Sequence, residues 1–225
     1  MNSLSHLTAP RFHVLDRAGI ATLFLLLAIT AGCAPAPMKP DTPAPDGPIV
    51  SRLVDGRQGF RIAEQAEPGG ESRNDFANAV DYMEQARYDE AIVLLEQVID
   101  QSPGLTAPHV NIALAYEQKG ATEKAEEHLK TALVLIPGHP VASNVYGLLL
   151  RKNGRFAEAR EIFEMSLERF PEYLPTRKNL GILYELYLGD AGAALEQFEI
   201  YSEAAPEDEQ VTTWIASLRL RIGNE

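Results

Sequence analysis

Few residues in this chain could do chemistry, and their spacing argues against catalysis. The 225 residues hold one cysteine, Cys33, so no internal disulfide can form. Beyond the N-terminal stretch the histidines are His109, His128 and His139. No two of them share the i, i+4 helical face that a helix-borne zinc pair uses. No glycine-rich loop follows a strand in the way a phosphate cradle requires. Carboxylates such as Glu126 and Glu127 sit in helix-forming stretches and read as solvated faces. The expectation is therefore a protein that is not an enzyme, with no metal site, no cofactor and no small-molecule substrate. The formal net charge is -12, with basic residues scattered among acids, which excludes nucleic acid as a partner.

Cys33 takes its meaning from its surroundings. Arg11, His13 and Arg17 precede the run "AGIATLFLLLAIT", which ends at the small pair Ala31-Gly32. A basic region, an apolar region too short to span a bilayer and a small-residue cleavage zone make a secretory signal over residues 1–32. The tetrad Thr30-Ala31-Gly32-Cys33 resembles the bacterial lipoprotein signal, with Thr30 in place of the preferred leucine. The resemblance implies cleavage before Cys33, a diacylglycerol thioether on its sulfur and an acylated amino group. Three acyl chains give stable anchoring where one does not. With Ala34 rather than aspartate after the cysteine, it further implies an outer-membrane lipid anchor, such as palmitate, with the chain facing the periplasm.

The elements that follow would position anything the chain binds. Residues 34–48, "APAPMKPDTPAPDGP", hold six prolines and read as an extended polyproline tether. Residues 49–62 alternate apolar and polar around Asp55-Gly56, which fits either a short hairpin or more linker. "EPGGES" breaks the chain before a repeating region. There, Pro103, Pro137, Pro171 and Pro206 recur at intervals of 34, 34 and 35 residues. Each closes an amphipathic stretch, and a second helical stretch precedes each one.

Four units agree in detail. Small residues recur at Ala79, Ala113, Gly147 and Gly181 in the first helix, with bulky partners at Tyr82, Tyr116, Leu150 and Tyr184. Ala91, Ala125, Ala159 and Ala194 open the second, followed by Leu95, Leu129, Phe163 and Phe198. This pattern resembles the tetratricopeptide repeat (TPR), which implies an all-α solenoid of helix-turn-helix units. The units are 72–105, 106–139, 140–173 and 174–207, after a segment 33–71 made of the lipidated cysteine, the tether and the possible hairpin. Residues 208–225 are a capping helix, with Trp214 in its apolar stripe and therefore packed in the core. The fourth unit carries one extra residue in "YELYLGDAG". It should be slightly mis-set, or its first helix lengthened by a fraction of a turn.

By position, the resemblance implies a concave groove that takes a peptide or helix of another protein. Its lining would include Phe76, Val80, Met83, Val110, Leu114, Asn144, Leu148, Arg151, Lys152, Lys178 and Ile182. Arg151, Lys152 and Lys178, with Arg177 nearby, form a basic cluster suited to an acidic or carboxylate-bearing segment. The expected role is a membrane-anchored scaffold for an envelope protein, for example in assembly of a pilus, secretion or outer-membrane complex. The alternative is an adaptor that regulates a periplasmic protease or peptidoglycan hydrolase.

Overall fold

In the computed structural model, residues 48–53, 59–64, 66 and 69–223 are described. The signal sequence, Cys33, the proline tether and Asp55-Gly56 lie outside these residues. The described chain opens with a ribbon and continues as helices. Strands β1 (Ile49–Arg52) and β2 (Phe60–Ala63) pair antiparallel, with Ile49 opposite Ala63 and Arg52 opposite Phe60. Of the two readings open for residues 49–62, the hairpin is the one that forms.

Each repeat contributes an A helix and a B helix. The A helices are α1 (Gly70–Glu84), α3 (Thr106–Gln118), α5 (Pro140–Lys152) and α7 (Leu174–Leu183). The B helices are α2 (Tyr88–Gln101), α4 (Thr122–Leu135), α6 (Phe156–Arg169) and α8 (Ala191–Ala204). Helix α9 (Glu209–Ile222) closes the stack. Consecutive helices pack on each other along the chain, so each unit buries its apolar face against the next.

The small residues are where A and B cross. Ala79, Ala113, Gly147 and Gly181 are buried, and so are Leu95, Leu129, Phe163 and Phe198. The sizes are matched: alanine in A goes with leucine in B, and glycine with phenylalanine. A Cβ placed on Gly147 would fall 2.2 Å from Phe163 Cε1, and one on Gly181 would fall 2.6 Å from Phe198 Cε1. The ring of the B helix thus occupies the volume that the A helix leaves empty.

The turns from A to B need a left-handed residue. Gly120 (φ 73°), Gly154 (φ 76°) and Gly189 (φ 68°) supply it, but in the first repeat the position is Ala86, at φ 58°. A non-glycine residue pays for that conformation with a Cβ–carbonyl clash of ~1–2 kcal/mol. Ala86→Gly should therefore raise stability to unfolding by up to ~1 kcal/mol, less the entropy that glycine adds to the unfolded chain. Urea denaturation checks it, and a lower midpoint would refute the account.

The surplus residue of the fourth repeat is absorbed without shifting its partner helix. α7 runs into a π-helical turn, Tyr184–Leu188, closed by the Asp190 amide donating to Tyr184 O at 3.0 Å. One wider turn accommodates one extra residue. Phe198 still meets Gly181, so the unit is lengthened rather than mis-set. The wide turn also carries Tyr187 outward, onto Phe156 of the third repeat, with 4.7 Å between ring centroids. On α9, Val211, Ile215 and Leu218 are buried, and Trp214 packs on Phe198 with centroids 5.3 Å apart. Arg219 and Arg221 in its last turn reach Glu199 and Glu185, each at 2.6 Å.

Candidate peptide-binding groove

Successive A helices touch one another, α1 with α3, α3 with α5 and α5 with α7, while no two B helices make a comparable contact among the described residues. The A helices therefore form the tighter, inner layer of a curved stack. Polar bridges tie that layer together. Asn179 Nδ2 donates to Asn144 Oδ1 at 2.8 Å between α7 and α5, and Lys152 Nζ donates to Glu117 Oε1 at 3.0 Å between α5 and α3.

The predicted lining residues divide into two sets. Phe76, Val80 and Met83 on α1, Leu114 on α3, and Leu148 and Arg151 on α5 are half-buried, as a groove floor requires. Val110, Asn144 and Ile182 are instead buried. Val110 joins the core shared by α3, α4 and α5, Ile182 packs with α8 and α9, and Asn144 is spent on Asn179. These three position the groove rather than line it.

The basic cluster also resolves into unlike parts. Lys178 Nζ lies 2.6 Å from Asp208 Oδ2 and sits over the rings of Tyr201 and Trp214, 5.5 Å from each centroid. Burial pushes the Asp208 pKa up, but hydrogen bonds from Lys178 and Tyr201 outweigh it and hold the carboxyl below its ordinary value. Lys152 pairs with Glu117. Arg177 is buried and points at the B helix, donating to Gln197 Oε1 and to Pro171 O at 3.0 Å each. Arg151 differs from all of these. Its Nη1 is buried without a hydrogen-bond partner, its guanidinium lies 5.8 Å from the Tyr187 ring centroid, and burial lowers its pKa. It is the groove cation left without a carboxylate among the described residues.

Among the described residues, two of the clefts lie off the inner layer. One of about 570 Å³ is lined by Glu185, Asp190 and Arg221 beside the π turn. The other, about 260 Å³, lies between the hairpin and the turns of the later repeats, against Phe60, Leu174 and Ile200.

Family models of the tetratricopeptide repeat match residues 74–149 and 146–173. The helical repeats are tetratricopeptide repeats. The Photosystem I assembly protein Ycf3 of Prochlorococcus marinus subsp. pastoris is 32% identical over 88 residues, which is 39% of this chain and 46% of that protein. The chain therefore spans less than half of that relative. Among solved structures, MamA is similar at a TM-score of 0.56 and 19% identity, over 64% of this chain and 84% of that one. PilF of Pseudomonas aeruginosa is similar at 0.61 and 21%, over 68% and 70%. At these identities the structures show the fold.

The tetratricopeptide repeats carry two polar features that spacing along the sequence does not reveal. The first is a strap along the turns that join one repeat to the next. Glu64, just past β2, accepts hydrogen bonds from the Thr106 amide at 3.1 Å and from the Thr106 hydroxyl, at the start of α3. His139 caps α5, its Nδ1 accepting from the Ala142 amide at 3.2 Å. With Nδ1 accepting, the neutral ring carries its proton on Nε2, which lies 3.3 Å from Glu64 Oε1, close but poorly aligned for a hydrogen bond. Further along, Phe60 meets Tyr173 edge-on at 5.2 Å, and Arg52 donates to Ala204 O and to Glu207. The ribbon and Glu64 thus touch the three inter-repeat turns and the turn that leads from repeat 4 into α9. The second feature is a histidine pair in repeat 2, with His109 Nδ1 3.2 Å from His128 Nδ1. The residues lie 19 apart on different helices, so a search for i, i+4 spacing passes over them.

Tetratricopeptide repeats with half-buried apolar residues on the inner layer make a protein-interaction scaffold, the coarse role that fold and family agree on. Among the described residues no helix is long and apolar enough to cross a membrane, and no group of three or more His, Cys, Asp or Glu side chains could hold a metal ion.

Proposed function

We propose that the chain is a membrane-anchored scaffold that holds a segment of another cell-envelope protein in its groove. The anchor is a lipid on Cys33 and the address, read from Ala34, is the periplasmic face of the outer membrane. The observation that carries the reading is Arg151, a half-buried cation on the inner layer with no acid of its own among the described residues. A bound carboxylate would complete it, and a charge-assisted hydrogen bond of this kind is worth ~1.5–3 kcal/mol. The assembly role that the name of the Photosystem I assembly protein Ycf3 states is consistent with such a scaffold.

Two measurements test this reading separately. Arg151→Glu should reduce recovery of envelope partners, captured by a photo-crosslinker at Leu148, at least about tenfold, the factor that ~1.4 kcal/mol represents. Lys152→Glu, at a cation already paired with Glu117, should change recovery far less. Equal recovery from both variants and the parent removes Arg151 from the site. Radiolabelled palmitate should label the parent and not Cys33→Ala, and an unlabelled parent removes the anchor while leaving the groove to be judged by its own test.

A further inference from the structure

We propose that His109 and His128 form a binding site for one late first-row divalent cation, copper or zinc, between the two helices of repeat 2. The two Nδ1 atoms face each other at 3.2 Å. Imidazole nitrogens bound to one ion at about 2.0–2.1 Å are about 2.9 Å apart at a right-angled bite and about 3.4 Å apart at a tetrahedral one. The observed separation lies between these limits, so an ion can replace the shared hydrogen with little movement of either ring. Each ring then carries its proton on Nε2.

The surroundings favour a cation. Burial lowers the pKa of His109, and the charge of His128 adds to this. Burial also lowers the pKa of His128, against an opposing pull from Glu127 and Glu96. Burial thus disfavours the charged form of both rings, in the direction that ligation requires, and two carboxylates lend the site a negative field. Tyr116 stacks on His128 at 5.8 Å between centroids and steadies the ring that is half exposed. That exposure gives the ion a path from solvent, and water would fill the remaining coordination positions, since no third protein ligand converges there among the described residues.

The repeat geometry itself brings the two positions together. The equivalent positions in repeat 4 hold Arg177 and Gln197, whose side chains also meet, at 3.0 Å. The helix crossing brings these two positions together in both units. Only in repeat 2 are both side chains metal ligands.

The test uses the full chain with any affinity tag removed, titrated with Zn²⁺ alone and with Cu²⁺ alone at pH 7.5. Calorimetry should show one equivalent bound to the parent that His128→Ala and His109→Ala both lose, with Cu²⁺ held more tightly than Zn²⁺. Thermal unfolding of the parent should rise by about 5 °C or more at an ion concentration ~100-fold above the dissociation constant. In His128→Ala the rise should be absent while far-ultraviolet circular dichroism keeps its helical amplitude. His6, His13 and His139 are present in every variant, so ions bound by them appear equally in all three. The same number of equivalents in the parent and both variants, or none in any, overturns the site.

Discussion

Gly147→Ala should destabilise the protein by about 1–3 kcal/mol, the cost of forcing a methyl group into a filled core. The sign is the test. In a helix interior, alanine ordinarily exceeds glycine by ~1 kcal/mol, so propensity alone predicts a gain. Here the new Cβ would lie 2.2 Å from Phe163 Cε1 and 2.5 Å from Cζ, and the ring has no free space to enter because it is itself fully buried. Phe163→Leu in the same chain should recover much of the loss, since it recreates the alanine–leucine crossing of Ala79 with Leu95 and Ala113 with Leu129. A double-mutant cycle read by urea denaturation should give a favourable coupling of about 1 kcal/mol or more. Gly192→Ala serves as the control. Its Cβ would meet nothing nearer than Asp190 Oδ1 at 3.7 Å, and it should be neutral or slightly stabilising. A stable Gly147→Ala, or a double variant no better than the sum of the singles, would refute the matched-crossing account.

The same crossings explain what could be read from the sequence. The repeat length, the helix pairs and the core positions follow from local periodicity, because each unit packs mainly on its neighbours. Small and large residues at fixed offsets in four units left one helical solution. The extra residue in "YELYLGDAG" was visible as a misfit, but whether it would enter the turn or the helix depends on Phe198 holding its place over Gly181. The groove was legible as a set of positions and less so as chemistry. Lys152 and Lys178 look like free cations in a repeat alignment, yet their partners, Glu117 and Asp208, come from neighbouring units about 30 or more residues away. Val110, Asn144 and Ile182 share repeat positions with half-buried residues such as Phe76 and Leu148, and the depth of each depends on the helix opposite. The histidine pair and the Glu64 contacts are tertiary in the same sense. No spacing rule along one helix finds them.

Glu64→Ala should have the other large effect, and it should be felt in helices remote from the substitution. The carboxylate satisfies the Thr106 amide and hydroxyl at the start of α3 and faces His139, which caps α5. Its loss leaves a part-buried amide and hydroxyl without their acceptor, a penalty of ~1–3 kcal/mol for each group left unsatisfied, less whatever water can repair. Amide exchange should quicken in the first turns of α3 and α5 more than in α8, and the ribbon should loosen from Tyr173. Glu64→Gln keeps one acceptor oxygen and should lose less. The pH dependence separates a capping carboxylate from a space-filling one. Burial raises the Glu64 pKa, but the neighbouring His139 ring and the hydrogen bonds from Thr106 outweigh it and leave it below the ordinary carboxylate value. A depressed native pKa means that the unfolded chain takes up the proton first. The stabilisation is therefore complete above the unfolded value of ~4.3 and declines as pH falls through the lower native one. The stability difference between the parent and Glu64→Gln should shrink as pH falls across that interval. A difference that is flat down to pH 3, or exchange rates in α3 and α5 that match the parent, would leave the ribbon as a passive cover. The expected pattern would make it the part that fixes the spacing of adjacent repeats, and hence the shape in which the inner layer meets its ligand.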